Sequence, residues 1–145
     1  MSPVLRSSPV GIVFRRLDAE PERRQAALLL PHCELDDHDS ACVWFGLCDL
    51  TATENSVLAG VVVVRSIEPL TARLCGLAVS GADRHGHLGR RLVCEVVDRL
   101  RASGVEEITV PPTLDRRAAA LLVQVGFAPR DPSQGHEAGW LWLPL

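Results

Sequence analysis

Residues 74–100, LCGLAVSGADRHGHLGRRLVCEVVDRL, constrain the fold of this chain more than any other stretch. The apolar run 74–79 has the length of a buried strand. Ser80-Gly81-Ala82-Asp83 makes a turn, and Arg84-His85-Gly86-His87-Leu88-Gly89 leads directly into a helical pattern. Leu88, Leu92, Val96 and Leu100 recur every four residues, with Val93 and Val97 widening the apolar stripe. Arg90, Arg91, Glu95, Asp98, Arg99 and Arg101 fill the other face. Glu95 precedes Arg99 by four, the favourable order for a helical ion pair of about 0.2–0.5 kcal/mol.

A strand that passes through glycines into a helix start concentrates backbone N–H groups at the positive end of a helix dipole, which suits an anion. Gly86 and Gly89 lack a Cβ, so a phosphate has room to approach the backbone, and Arg84, Arg90 and Arg91 add positive charge. Taken by itself the segment also fits a plain loop whose glycines serve turn geometry and whose arginines solvate a helix.

A chain of 145 residues has room for one domain with a real core. Residues 1–9, polar with two prolines, read as a flexible N-terminal segment, and residues 10–145 as a single domain. No apolar run reaches the roughly 18–20 residues of a membrane span, and the N-terminus lacks the apolar core of a secretion signal. A soluble, cytoplasmic protein is the expectation. The formal charge of −3 argues against generic nucleic-acid binding. Five cysteines without a C-x-x-C pair resemble neither a disulfide frame nor a zinc ribbon, and most are expected to be small buried hydrophobes. The chain has no lysine, which excludes a P-loop ending in G-K-[ST], and no tyrosine, which removes the phenol as an acid.

In chain order, residues 10–16 read as a first strand. Asp18 is placed to cap a helix whose first turn holds Glu20, Pro21 and Glu22, whose apolar run 26–30 faces inward, and which Pro31 ends. His32-Cys33-Glu34-Leu35-Asp36-Asp37-His38-Asp39-Ser40 fits no established metal-ligand spacing. It reads as a solvated loop or as an acidic loop attractive to an amine, and no metal site is expected. Residues 41–48 and 57–65 form a hairpin, and 71–79 the fourth strand. Gly104 supplies a left-handed cap after the central helix, and residues 105–110 form a fifth strand. The intervening helix makes the fourth and fifth strands parallel. A last helix from Thr113 or Asp115, ended by Gly126, precedes a short strand at Phe127 and a final one over 139–145. Trp140 and Trp142 share a face of that final strand, where they either join the core, the commoner fate, or form a homodimer contact.

The element order β-α-β-β-β-α-β-α-β-β, with an anion-type loop after the fourth strand, resembles the GNAT-type N-acetyltransferase superfamily. The resemblance covers roughly residues 10–145. It is carried by Arg84-His85-Gly86-His87-Leu88-Gly89 in the frame of the family's R/Q-x-x-G-x-G/A loop and by Val125-Gly126-Phe127 at the family's late Gly-Phe. It implies an α/β (α+β) fold with a mixed central sheet of about seven strands and helices on both faces. It also implies acetyl-CoA as acyl donor and an amine of a small molecule or peptide as acceptor. By that resemblance, Leu77, Ala78 and Val79 contact the pantetheine arm and thioester through their main chain. Arg84, His85, Gly86, His87, Leu88, Gly89 and Arg90 hold the pyrophosphate, and the fourth and fifth strands splay to admit the arm.

The chain departs from the family pattern at four places. His87 replaces the central loop glycine, and Leu122 stands where a tyrosine acid is usual. Arg73 falls near the place of a strand-four glutamate base, and the usual asparagine after the fifth strand is replaced around Pro111-Pro112-Thr113. Glu68, His87 or a carboxylate among Glu34, Asp36, Asp37 and Asp39 could act as base. Cys75 is read as inert strand core rather than a nucleophile. A second reading keeps the fold but not the turnover: a module that binds acyl-CoA or a protein partner. Rossmann dinucleotide binding is the competing reading of the glycine loop and the weaker one, since only Gly86-x-x-Gly89 of its glycine motif is present and three strands precede it.

Overall fold

In the computed structural model, residues 11–30, 42–49, 57–79, 87–112, 114, 116–129 and 139–145 are described. Seven strands and three helices follow the expected order. They are β1 (Ile12–Arg16), α1 (Glu20–Leu28), β2 (Cys42–Asp49), β3 (Val57–Glu68), β4 (Thr71–Val79), α2 (His87–Ala102), β5 (Glu107–Val110), α3 (Arg116–Val125), β6 (Ala128–Pro129) and β7 (Leu141–Pro144). The sheet order is β1-β2-β3-β4-β5-β7-β6, antiparallel throughout except for the parallel pair β4–β5.

The sheet is covered on both faces, as the continuous apolar run of β3 requires. Val62 and Val64 enter the larger core with Leu92, Val93, Val96, Val97 and Leu100 of α2 and Ala118 and Leu122 of α3. Val61 and Val63 point the other way, to a smaller core with Leu17, Trp44, and Ala26 of α1. The stripe read from the sequence of α2 is thus its buried face. On its other side Arg101 pairs with Asp98 at 3.2 Å, while the Arg99 guanidinium lies 5.5 Å from the ring of Phe14 and 6.0 Å from that of Phe45.

The start of α1 corrects the expected cap. Ala19 is the N-cap and makes no side-chain cap bond; Asp18 lies one residue too early and instead pairs with Arg16 at 2.9 Å. The helix also ends at Leu28, sooner than expected; of the apolar run 26–30 only Ala26 within it and Leu30 beyond its end are buried, while Leu28 is 81% exposed. Pro31 is outside the described residues. Of the cysteines, Cys42 and Cys48 are buried as expected, but Cys75 is half-buried and Cys94 exposed on the outer side of α2.

Two glycines end helices with the same pair of bonds. Val105 N–H donates to Leu100 O and Gly104 N–H to Arg101 O, both at 3.1 Å. Phe127 N–H donates to Leu122 O at 3.0 Å and Gly126 N–H to Val123 O at 3.1 Å. Their φ values, +96° and +121°, are ones that side chains resist. A Cβ at Gly104 would meet nothing within 4 Å, so the cost of Gly104→Ala is conformational alone. It should lower stability by about 1–2 kcal/mol, read as an earlier urea midpoint at unchanged slope.

Candidate active site

β4 and β5 pair only over Thr71–Glu107, Ala72–Ile108 and Arg73–Thr109. Beyond Arg73, β4 continues for six residues with no strand beside it on that edge among the described residues, while β5 runs on to Val110 beside β7. The sheet therefore parts at the carboxyl ends of its two parallel strands, the place where open α/β sheets take ligands.

A bulge sharpens the parting. Val63 pairs with Gly76 and Val64 with Leu74, so Cys75 is an extra residue on β4. The slip inverts the parity of the strand: Ala72 and Leu74 face the larger core before it, Leu77 and Val79 after it. An inserted residue of this kind bends a strand and re-aims the side chains beyond it. On β4 the re-aimed residues include Leu77, Ala78 and Val79. Leu77 is buried, Ala78 packs toward the smaller core, and Val79 is half-buried at the end of the edge.

The first turn of α2 lies against that end. A Cβ on buried Gly89 would come 3.2 Å from Cγ2 of Val79 and 2.8 Å from Cδ2 of Leu121. The missing side chain thus lets the helix start close onto β4 while α3 closes over it. His87 opens α2 and is exposed, Leu88 packs against the larger core, and Arg90 is exposed on the same first turn. Arg84, His85 and Gly86 lie outside the described residues. Arg91 serves another purpose than adding charge here: its Nη2 donates to Ile12 O of β1 at 3.1 Å, tying the helix to the far edge strand.

The base and acid candidates fare differently. Glu68 closes β3, its side chain outside the described set, as are the acids of residues 34–39. Cys75 Sγ lies 3.6 Å from Arg73 O, the bulge residue turned back on its own strand. Leu122, at the place of the family's tyrosine, is fully buried in the larger core. Among the described residues no group of three or more His, Cys, Asp or Glu could hold a metal ion.

At the vertex of the parting sits an arrangement that sequence reasoning missed. The Arg73 guanidinium lies 4.9 Å from the ring centre of Trp140, and its Nε is buried with no hydrogen-bond partner among the described residues. Trp140 and Trp142 are half-buried, whereas Leu141 and Leu143 between and beyond them face the larger core. An arginine inside an apolar strand was the available signal. Its partner, more than sixty residues away, was not legible.

The model of the acetyltransferase (GNAT) family matches residues 13–127. The chain belongs to that family. A search of curated proteins found no match. Among solved structures, a Bacillus subtilis acetyltransferase in complex with CoA is similar at 17% identity and a TM-score of 0.68, over 92% of this chain and 99% of that one. A GNAT family acetyltransferase from Elizabethkingia anophelis with acetyl-CoA bound gives 16%, 0.68, 94% and 99%. The ribosomal-protein-S18-alanine N-acetyltransferase of Escherichia coli gives 18%, 0.65, 92% and 93%. These likenesses show the GNAT fold, a mixed seven-stranded sheet between helices, and the family makes the protein an acyltransferase. No described helix of this acetyltransferase is long and apolar enough to cross a membrane.

Proposed function

We propose that this acetyltransferase moves the acetyl group of acetyl-CoA to a primary amine of a small molecule or peptide, by direct attack, in a single domain over residues 10–145. The observation that carries the reading is the parting of β4 from β5 after Arg73, with the first turn of α2 set against Val79 at its mouth. The main-chain edge over Leu77, Ala78 and Val79 offers amide groups to a pantetheine arm. Arg84, His85 and Gly86, continued by His87, Leu88, Gly89 and Arg90, would hold the pyrophosphate. The structures with CoA and with acetyl-CoA bound have the same fold, which supports this choice of donor.

In the reaction the amine lone pair attacks the thioester carbonyl carbon, the C–S bond breaks, and the amine gives up a proton. To the Val79 N–H falls the task of stabilising the developing oxyanion through position and fixed dipole. Glu68 and His87 are the candidates to take the proton, directly or through water. Leu122 has no proton to give, so the thiolate departs without a tyrosine. A thiol pKa of about 8–9 makes that tolerable.

The test is heat unfolding with acetyl-CoA, followed by thiol release with a panel of amines. At about a hundredfold its Kd, the donor should raise the unfolding free energy by about 2.7 kcal/mol. No shift at millimolar acetyl-CoA would overturn the donor assignment. A shift without thiol release from any amine would favour a module that binds and does not turn over.

A further inference from the structure

We infer that Arg73 and Trp140 form an anion-recognising subsite, and that the acceptor is therefore an amine that also carries a carboxylate. This rests on the transferase reading and narrows its substrate class.

Arg73 belongs to the last pair before β4 and β5 part, so its side chain sits where the cleft begins. Its neighbours on that face are fixed by register: Arg65 directly across on β3, and Thr109 across on β5, itself opposite Trp142 of β7. Glu107, the acid two residues before Thr109 on the same strand, accepts a hydrogen bond from Thr71 Oγ1 at 3.4 Å. No ion pair to Arg73 occurs among the described residues.

A guanidinium whose buried Nε has no hydrogen-bond partner among the described residues carries a desolvation cost that one aromatic face offsets only in part. It presents planar, forked donors that match a carboxylate with two parallel hydrogen bonds. The ring of Trp140, 4.9 Å from the guanidinium carbon, restricts the freedom of the side chain, which lowers the entropy lost on binding. A neutral amine would leave the guanidinium charge unbalanced; a carboxylate would meet it through the terminal Nη donors, the enclosed Nε lying out of a ligand's reach. The chemistry of the vertex thus discriminates between acids and their neutral analogues.

The experiment compares the protein α-amino acids with their α-carboxamides as acceptors, reading CoA release for the wild type, Arg73→Gln and Arg73→Lys. The quantity read is the ratio of kcat/KM for an acid to that for its amide. Comparing that ratio between proteins cancels the differing amine basicities of the two compounds. In the wild type the best acid should exceed its amide by about 10- to 100-fold, the range of a charged hydrogen-bonded pair. Arg73→Gln should cut the ratio by at least tenfold, and Arg73→Lys, which keeps the charge without the fork, by less. Equal use of acid and amide by the wild type overturns the subsite, as does an equal loss for both in Arg73→Gln. If none of these acceptors releases CoA while another amine does, the carboxylate-bearing class is overturned; if no amine releases it, the transferase reading fails, and tryptophan fluorescence tests the subsite alone. Titration with the same acids should then perturb emission in the wild type and not in Arg73→Gln; an unperturbed wild type overturns it.

Discussion

Leu122→Ala is expected to lower the unfolding free energy by about 2–5 kcal/mol, the range for deleting a fully buried leucine that neighbours cannot replace. Leu122 is 0% exposed, lies in the larger core with Leu92 and Phe127, and contributes the carbonyl that caps α3. In a domain of this size the melting temperature should fall by several degrees per kcal/mol. Specific activity per folded molecule should stay near that of the wild type, because the side chain cannot reach a thiolate from inside the core. Leu122→Tyr supplies the complementary result. The added ring and hydroxyl have to enter a packed core, so this variant should be destabilised and should show no gain in acetyl transfer. A rise in turnover that titrates with a phenol's pKa would show that the position faces the cleft after all.

The second large effect concerns how α2 is seated. A Cβ on Gly60 of β3 would stand 2.9 Å from Cδ2 of Leu92 and 3.4 Å from the backbone oxygen of Ala78. Leu92 is a fully buried anchor of α2. Gly60→Val therefore pushes against the helix on one side and a neighbouring strand on the other, and should cost about 1–3 kcal/mol. Leu92→Ala alone should cost about 2–5 kcal/mol through the cavity it leaves. Made together, the two should cost less than their sum, since the valine fills part of the space that the leucine vacates. Chemical denaturation of the four proteins in the cycle measures that coupling directly. Additive costs would mean that the contact between this glycine and this leucine does not set the height of α2 above the sheet.

The sequence made the arrangement of elements legible because the periodicities involved are strong. Leu88 through Leu100 can be nothing but one face of a helix, and the apolar run of β3 demands a cover on both sides. Gly104 and Gly126 marked helix ends because their backbone geometry is barred to other residues. Three things were hidden for physical reasons. The bulge at Cys75 depends on how β3 pairs with β4, and a single inserted residue leaves no mark on composition. Asp18 looked like a cap, yet the helix begins one residue too late for it to reach. Arg73 and Trp140 meet only because β4 and the segment before β7 are brought to the same vertex. In the candidate site, Gly89 was picked out for its lack of a side chain, and the structure adds that the space is used by Val79 and Leu121.

The three-residue seam between β4 and β5 has a mechanical consequence. Across it, the strands from β1 to β4 and the group β5, β7 and β6 are stitched by very few main-chain bonds, while α2 and α3 bridge them from one face. What keeps the two halves in register is therefore the larger core that both of them line, Val64 and Leu74 on one side and Ile108 and Val110 on the other, roofed by α2 and α3.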